Sequence, residues 1–170
     1  VGGGRKQAMG AELQRISSLS TDAPKLPLPT LRLVAADGSA HGIEDFAGQG
    51  LVLNFWATWC IPCVAEMPSL ARLGAALQGA GIAVLPLSSD RGGVPVVEKF
   101  YHDHEITGLP IWLDPNGDAV HKLKLRGIPT TLVIDRQGRE RGRVEGAADW
   151  AAADSVAKIK AIVGTPISAK

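Results

Sequence analysis

Residues 51–78 limit this chain more than any other stretch. Leu51-Val52-Leu53-Asn54-Phe55-Trp56-Ala57 is a nearly continuous apolar run, which fits a strand covered on both faces. Cys60 and Cys63 follow at once, and residues 62–78 read as a helix. Met67, Leu70, Leu73, Ala76 and Leu77 fall on one side of that helix. Pro62 suits its first turn, where no N–H is needed. Pro68 should kink it by deleting one backbone hydrogen bond, and Gly79 and Gly81 supply the stop. A strand that passes into a helix through Cys-x-x-Cys puts the first cysteine at a helix N-terminus. Unpaired N–H groups and the helix dipole favour an anion there. A thiolate on Cys60 is therefore stabilised, and the thiolate is the attacking species. Cys63, one turn inside, is covered and suited to resolving a mixed disulfide.

The chain has two cysteines in all. A bridge across two intervening residues closes almost no loop, so it is no staple for the fold. Redox chemistry or metal binding remains. A zinc or copper half-site would want further soft ligands, and no second cysteine pair exists. The four histidines, His41, His102, His104 and His121, are scattered and read as surface residues. His102 and His104 are two apart, which does not place them on one helix face.

With 170 residues the chain makes one domain that needs no staples. Lys and Arg total 18 against 17 Asp and Glu, a net charge of +1. That balance leaves no electrostatic footprint for nucleic acid and no polybasic membrane signal. No apolar run approaches the roughly 18 residues of a membrane span.

Residues 1–25 read as an N-terminal tail or stalk, partly helical. Met9, Leu13 and Ile16 fall at helical spacing, which predicts a short amphipathic helix over 7–19. Pro24, Pro27 and Pro29 then discourage helix. Residues 30–35 and the Asp37-Gly38 turn predict a hairpin. A helical turn follows at 43–46, a second central strand at 82–87, a solvated loop at 88–93 and a helix at 95–104 with Val97, Phe100 and Tyr101 in the core. Residues 110–113 are extended, 118–125 form a short helix, and strands at 130–134 and 140–145 flank the Arg136-Gln137-Gly138 turn. A last helix covers 149–163, with Trp150, Val156, Ile159, Ile162 and Val163 on its apolar face. The domain spans 26–164, and 165–170 is a C-terminal tail. This order predicts an α/β fold whose mixed sheet is parallel at its centre, antiparallel at one end and flanked by helices. The chain starts at Val1 without an initiator Met, as a processed or truncated product would.

Phe55-Trp56-Ala57-Thr58-Trp59-Cys60-Ile61-Pro62-Cys63, followed by Glu66-Met67-Pro68, resembles the TlpA/ResA/CcmG family, and in appearance TlpA most. Members are exported, usually membrane-anchored thiol–disulfide oxidoreductases. Arg126-Gly127-Ile128-Pro129-Thr130-Thr131 is similar to the family's second signature, whose proline follows a cis peptide bond. The likeness runs over about residues 26–163 in the expected order. It implies a thioredoxin-like fold, a central mixed β-sheet flanked by helices, with an extra N-terminal β-hairpin. It also implies that Ile128–Pro129 is cis and packs beside the cysteine pair. A proline there has no N–H to donate, which leaves the strand edge open to a substrate chain.

On this resemblance Cys60 and Cys63 are the catalytic pair, supported by Trp59, Pro62, Glu66, Ile128 and Pro129. Trp59 shields the pair and offers apolar contact to a partner, or is simply a partly buried aromatic, and Trp56 packs in or beside the core. Glu66 is an acidic position typical of the family, where a carboxylate could manage protons. Helix-dipole preference for an acid in the first turn explains it as well, and on the residues alone is the better account. Asn54 stands where thioredoxin carries a buried Asp, and Asn cannot take a proton. Ile61 replaces the Glu that some relatives place between the cysteines. Glu66 and water remain as destinations for the proton of Cys63. The Asp90-Arg91-Gly92-Gly93 loop could edge a partner site, although a solvated loop is the simpler reading.

The expected activity is thiol–disulfide exchange, with Cys60 attacking and Cys63 resolving. No charge from Ile61-Pro62 stabilises the thiolate, which favours a reductant. Family analogy points to cytochrome c or cytochrome oxidase copper-site maturation in the periplasm, with a membrane-bound donor for re-reduction. An N-terminal anchor would precede this chain. Protein disulfides are the partners, no cofactor or metal is expected, and the chain is expected to be a monomer. Two alternatives stand beside this. One is a thiol peroxidase, although the peroxiredoxin Thr three residues before the reactive Cys is here Ala57. The other is a Cu(I)-binding chaperone using the cysteine pair with a distant His102 or His121, although copper carriers space their cysteines one residue wider.

Overall fold

Strand β3 (Gly50–Trp56) is buried along its whole length, as its apolar run requires. The two-residue period of a strand divides its side chains between the sheet faces. Leu51, Leu53 and Phe55 enter one core, and Val52 and Trp56 enter the other. Asn54 is in phase with Val52 and Trp56. Each large apolar side chain buried this way contributes about 1.5–3 kcal/mol. The computed structural model describes residues 13, 14, 16 and 18–166.

The other strands are β1 (Leu33–Ala35), β2 (Ala40–His41), β4 (Ile82–Ser88), β5 (Trp112–Leu113), β6 (Thr130–Ile134) and β7 (Glu140–Glu145). Among the described residues they form one sheet with β3, in the order β2-β1-β5-β4-β3-β6-β7. The β3/β4 and β4/β5 pairs are parallel, and the remaining pairs are antiparallel. Gly38, at φ +88°, makes the turn between β1 and β2 that a side chain would strain. The hairpin joins the sheet through β5, so the N-terminal addition extends the central sheet.

Helices α1 (Ile61–Ala76), α2 (Val94–Asp103) and α4 (Ala153–Val163) supply Leu70, Phe100 and Ile159 to the core that holds Trp56. The short helix α3 (Asp118–Lys122) supplies Ala119 to the opposite core. The thioredoxin-like arrangement expected from the sequence is therefore present. Helix α1 continues through Pro68, which lacks the N–H for one rung of its ladder.

Several expectations need correction. Of the helix expected over 7–19, residues 7–12 lie outside the described residues. The described remainder is not helical, because Gln14 pairs with Ala148 in a parallel bridge. Ile16 and Leu19 are buried in the main core, so this stretch packs on the domain. Ala76 is exposed, and Met67, Leu70, Leu73 and Leu77 carry the buried face of α1 without it. The last helix starts at Ala153, which leaves Trp150 in the preceding segment, fully buried.

Candidate active site

The handover from β3 to α1 places the two sulfurs. Cys60 is the N-cap of α1, and its Sγ accepts the backbone N–H of Cys63 at 3.4 Å. Cys60 and Cys63 form a disulfide with Cα atoms 5.2 Å apart. Cys63 is inaccessible, while Cys60 keeps 6% exposure. That asymmetry matches one sulfur that meets a partner and one that resolves. Trp59 and Ile61, on either side of Cys60, are 70% and 73% exposed. They are large apolar groups held in water beside the Cys60 sulfur.

Chain segments distant in sequence complete the site. The Ile128–Pro129 bond is cis, as the family resemblance implied. The carbonyl oxygen of Ile128 lies 3.8 Å from Cys60 Sγ. Thr130 Oγ1 donates to Gly127 O at 2.7 Å, and Gly146 N donates to Pro129 O at 2.8 Å, so this loop is held from both sides. Arg126 forks onto the carboxylate of Glu145 at the rim. Pro62 occupies the first turn of α1 and is exposed.

The loop after β4 does more than the solvated reading allowed. The carboxylate of Asp90 accepts Thr58 N at 2.9 Å, Thr58 Oγ1 at 2.6 Å and Ser88 Oγ at 2.7 Å. Ser89 N also donates to Trp56 O at 3.1 Å. These contacts fasten the segment that delivers Trp59 and Cys60 to the end of β4.

Glu66 is neither exposed nor in the first turn of α1. It is completely buried. Its Oε1 accepts Asn54 Nδ2 at 2.7 Å, and its Oε2 accepts Ala148 N at 2.9 Å and Trp150 Nε1 at 2.8 Å. Burial raises its pKa from 4.5 to about 7, against the opposing pull of the three donors. The dipole account of this residue is therefore wrong. A carboxyl with this environment, one helical turn from Cys63, can change protonation near neutral pH. Ala148 and Trp150 were missed as site residues. Their only signal in the sequence was apolar character, which reads as core.

Among the described residues, no three side chains of His, Cys, Asp or Glu are grouped to hold a metal ion. His102 and His121 are exposed on α2 and α3. Among the same residues no helix is long and apolar enough to cross a membrane.

Residues 20–141 match the model of the AhpC/TSA family. The chain belongs to the AhpC/TSA family. Within it, similarity runs to thiol–disulfide oxidoreductases. ResA of Oceanobacillus iheyensis is 38% identical over 111 residues, 65% of this chain and 57% of that relative. The chain thus spans a little over half of that relative's length. ResA of Geobacillus thermodenitrificans is 32% identical over 118 residues, 69% of this chain and 67% of that protein. A crystallised candidate thiol:disulfide interchange protein DsbE from Chlorobium tepidum superimposes with a TM-score of 0.71 at 25% identity, covering 85% of this chain and 100% of the other. This AhpC/TSA member has the thioredoxin-like fold, with the disulfide-bonded Cys60 and Cys63 where β3 hands over to α1.

Proposed function

We propose that this thiol–disulfide oxidoreductase works as a reductant of disulfides in partner proteins. The observation that carries the reading is the asymmetry of the pair, a barely exposed Cys60 at a helix N-cap ahead of a sealed Cys63. In the reduced pair the Cys60 thiolate attacks a partner disulfide. One partner sulfur leaves as a thiolate, and a mixed disulfide forms. The Cys63 thiolate then attacks Cys60 Sγ and releases the second partner sulfur. Two electrons have passed to the partner, and Cys60–Cys63 is oxidised. Trp59, Ile61 and Ile128 supply apolar contact around the attacking sulfur, and Pro129 keeps its strand edge free of an N–H donor. Glu66 holds the proton that Cys63 gives up, because burial has brought its pKa to about 7.

Family resemblance supports a setting outside the cytoplasm, with an N-terminal anchor and a membrane-bound donor that re-reduces the pair. The partners of that setting are cytochrome c or the copper site of cytochrome oxidase during maturation. The test is the reduction potential of Cys60–Cys63, equilibrated in defined thiol buffers and read by thiol labelling. A potential at or below about −250 mV, near thioredoxin's, supports the reductant. A potential above about −150 mV makes the protein a disulfide donor and overturns the direction.

A further inference from the structure

Among the described residues, every hydrogen bond to the Glu66 carboxyl comes from an N–H donor. Ala148 N and Trp150 Nε1 can only donate. A proton placed on Glu66 therefore needs an acceptor that neither can supply. Asn54 is the one partner that carries an acceptor as well as a donor. Its Nδ2 is spent on Glu66 Oε1 at 2.7 Å and Thr131 Oγ1 at 2.9 Å, while its Oδ1 is buried with no partner among the described residues. A half-turn of the amide about its terminal torsion exchanges the two ends. Oδ1 then faces Glu66 Oε1 and can accept its proton. Thr131 can follow, because a hydroxyl both accepts and donates.

We propose that Asn54 is a proton-coupled positioning residue, whose amide donates to the ionised Glu66 and turns over to accept from the protonated one. The proposal rests on the reading of Glu66 as the proton holder of the exchange reaction. The orientation seen here leaves the oxygen without a partner among the described residues. It thus carries a desolvation penalty, so it does not hold its place by being fully bonded. An Asp at this position would titrate with Glu66 as a like-charge pair, and an aliphatic residue would leave the proton without an acceptor.

The groups around Glu66 leave few competing charges. Asn54 faces it from β3, and Thr131 adjoins Asn54 from β6. On its own helix the nearest titratable residue is Cys63, bonded to Cys60. On the segment above, Ala148 and Trp150 bind it, while the Asp149 carboxylate accepts Ala151 N instead. No charged side chain bonds to Glu66 among the described residues.

The test is a pH titration of the isotope-labelled chain by NMR, oxidised and reduced, following the Glu66 carboxyl carbon and the Asn54 side-chain amide. Glu66→Gln serves as the reference, because its fixed NH2 imitates the protonated carboxyl. The expected result is an Asn54 amide that shifts with the same midpoint as Glu66. At low pH it approaches a pattern that Glu66→Gln shows at every pH. A Glu66 that titrates past a stationary Asn54 amide overturns the proposal and spares the proton-holder reading. A Glu66 that does not titrate between pH 5 and 9 overturns both. Coupled titration in a chain that reduces no disulfide supports the amide turn and overturns the reductant reading instead.

Discussion

The indole N–H of Trp150 donates to the carboxylate of Glu66 at 2.8 Å, across 84 residues of sequence. Both side chains are fully buried. Trp150→Phe keeps most of the packing and deletes this donor. A hydrogen bond to a charged group contributes about 1.5–3 kcal/mol, and one to a neutral group about 0.5–1.5 kcal/mol. The variant should therefore lose more stability at pH 8 than at pH 5, and its Glu66 midpoint should move upward. Urea unfolding at the two pH values measures the first effect. Equal losses at both would mean that the bond does not discriminate the ionised carboxyl.

Ionisation of Glu66 works against the fold. Its pKa is raised from 4.5 to about 7 by burial, so the folded chain binds this proton more tightly than the unfolded one. The contribution of this group is fully present below the unfolded value and is lost as pH rises from about 4.5 to 7. It amounts to about 3 kcal/mol over that window. Glu66→Gln should flatten the stability–pH curve there. A curve as steep as the wild type's would place the titration on another group.

The exposure difference between the cysteines gives a kinetic order. In the reduced protein, alkylation should reach Cys60 well before Cys63. Cys63→Ser should accumulate a mixed disulfide with a model substrate through Cys60, and Cys60→Ser should form none. Mass spectrometry of the trapped species decides this, and adducts on Cys63 in the second variant would reverse the assigned roles.

Asp90 fastens the segment before Cys60 through Thr58 N and Oγ1. Removing the carboxylate leaves both donors and Ser88 Oγ to find water. Asp90→Ala should cost roughly 1.5–3 kcal/mol, at the level of a lost charged hydrogen bond. The amide of Thr58 should also exchange faster with solvent. Unchanged protection at Thr58 would show that packing alone holds the segment.

Arg136 is buried at the far end of the sheet and donates to the carbonyls of Gly48, Ala80, Gly81 and Gly164. Lys cannot reproduce the planar fork that reaches four acceptors. Arg136→Lys should lower stability by about 2 kcal/mol, since several hydrogen bonds made by a buried charged group are lost. Disulfide reduction per folded molecule should not change, and a change in that rate would connect this end of the sheet to the cysteines.

Local patterns were legible where neighbouring residues decide them. The strand covered on both faces, the helix after Pro62 and the Asp37-Gly38 turn all appear where expected. The apolar face expected for the last helix includes Trp150, although its spacings of six and nine residues to Val156 and Ile159 depart from helical period. Trp150 lies before that helix because its backbone N–H and indole N–H are taken by Ser69 Oγ and Glu66. Gln14 likewise gives up helix for a pairing with Ala148.

The sequence by itself determined that a buried strand ends in a cysteine at a helix N-terminus, since strand period, proline placement and helix dipole act within a few residues. Only the tertiary structure decided what surrounds that cysteine. The carbonyl of Ile128, the carboxylate of Asp90 and the donors that hold Glu66 arrive from separate strands and loops. Glu66 is a surface acid or a proton holder according to how completely water is removed from it and which partners replace the water. That depends on which segments the sheet brings together.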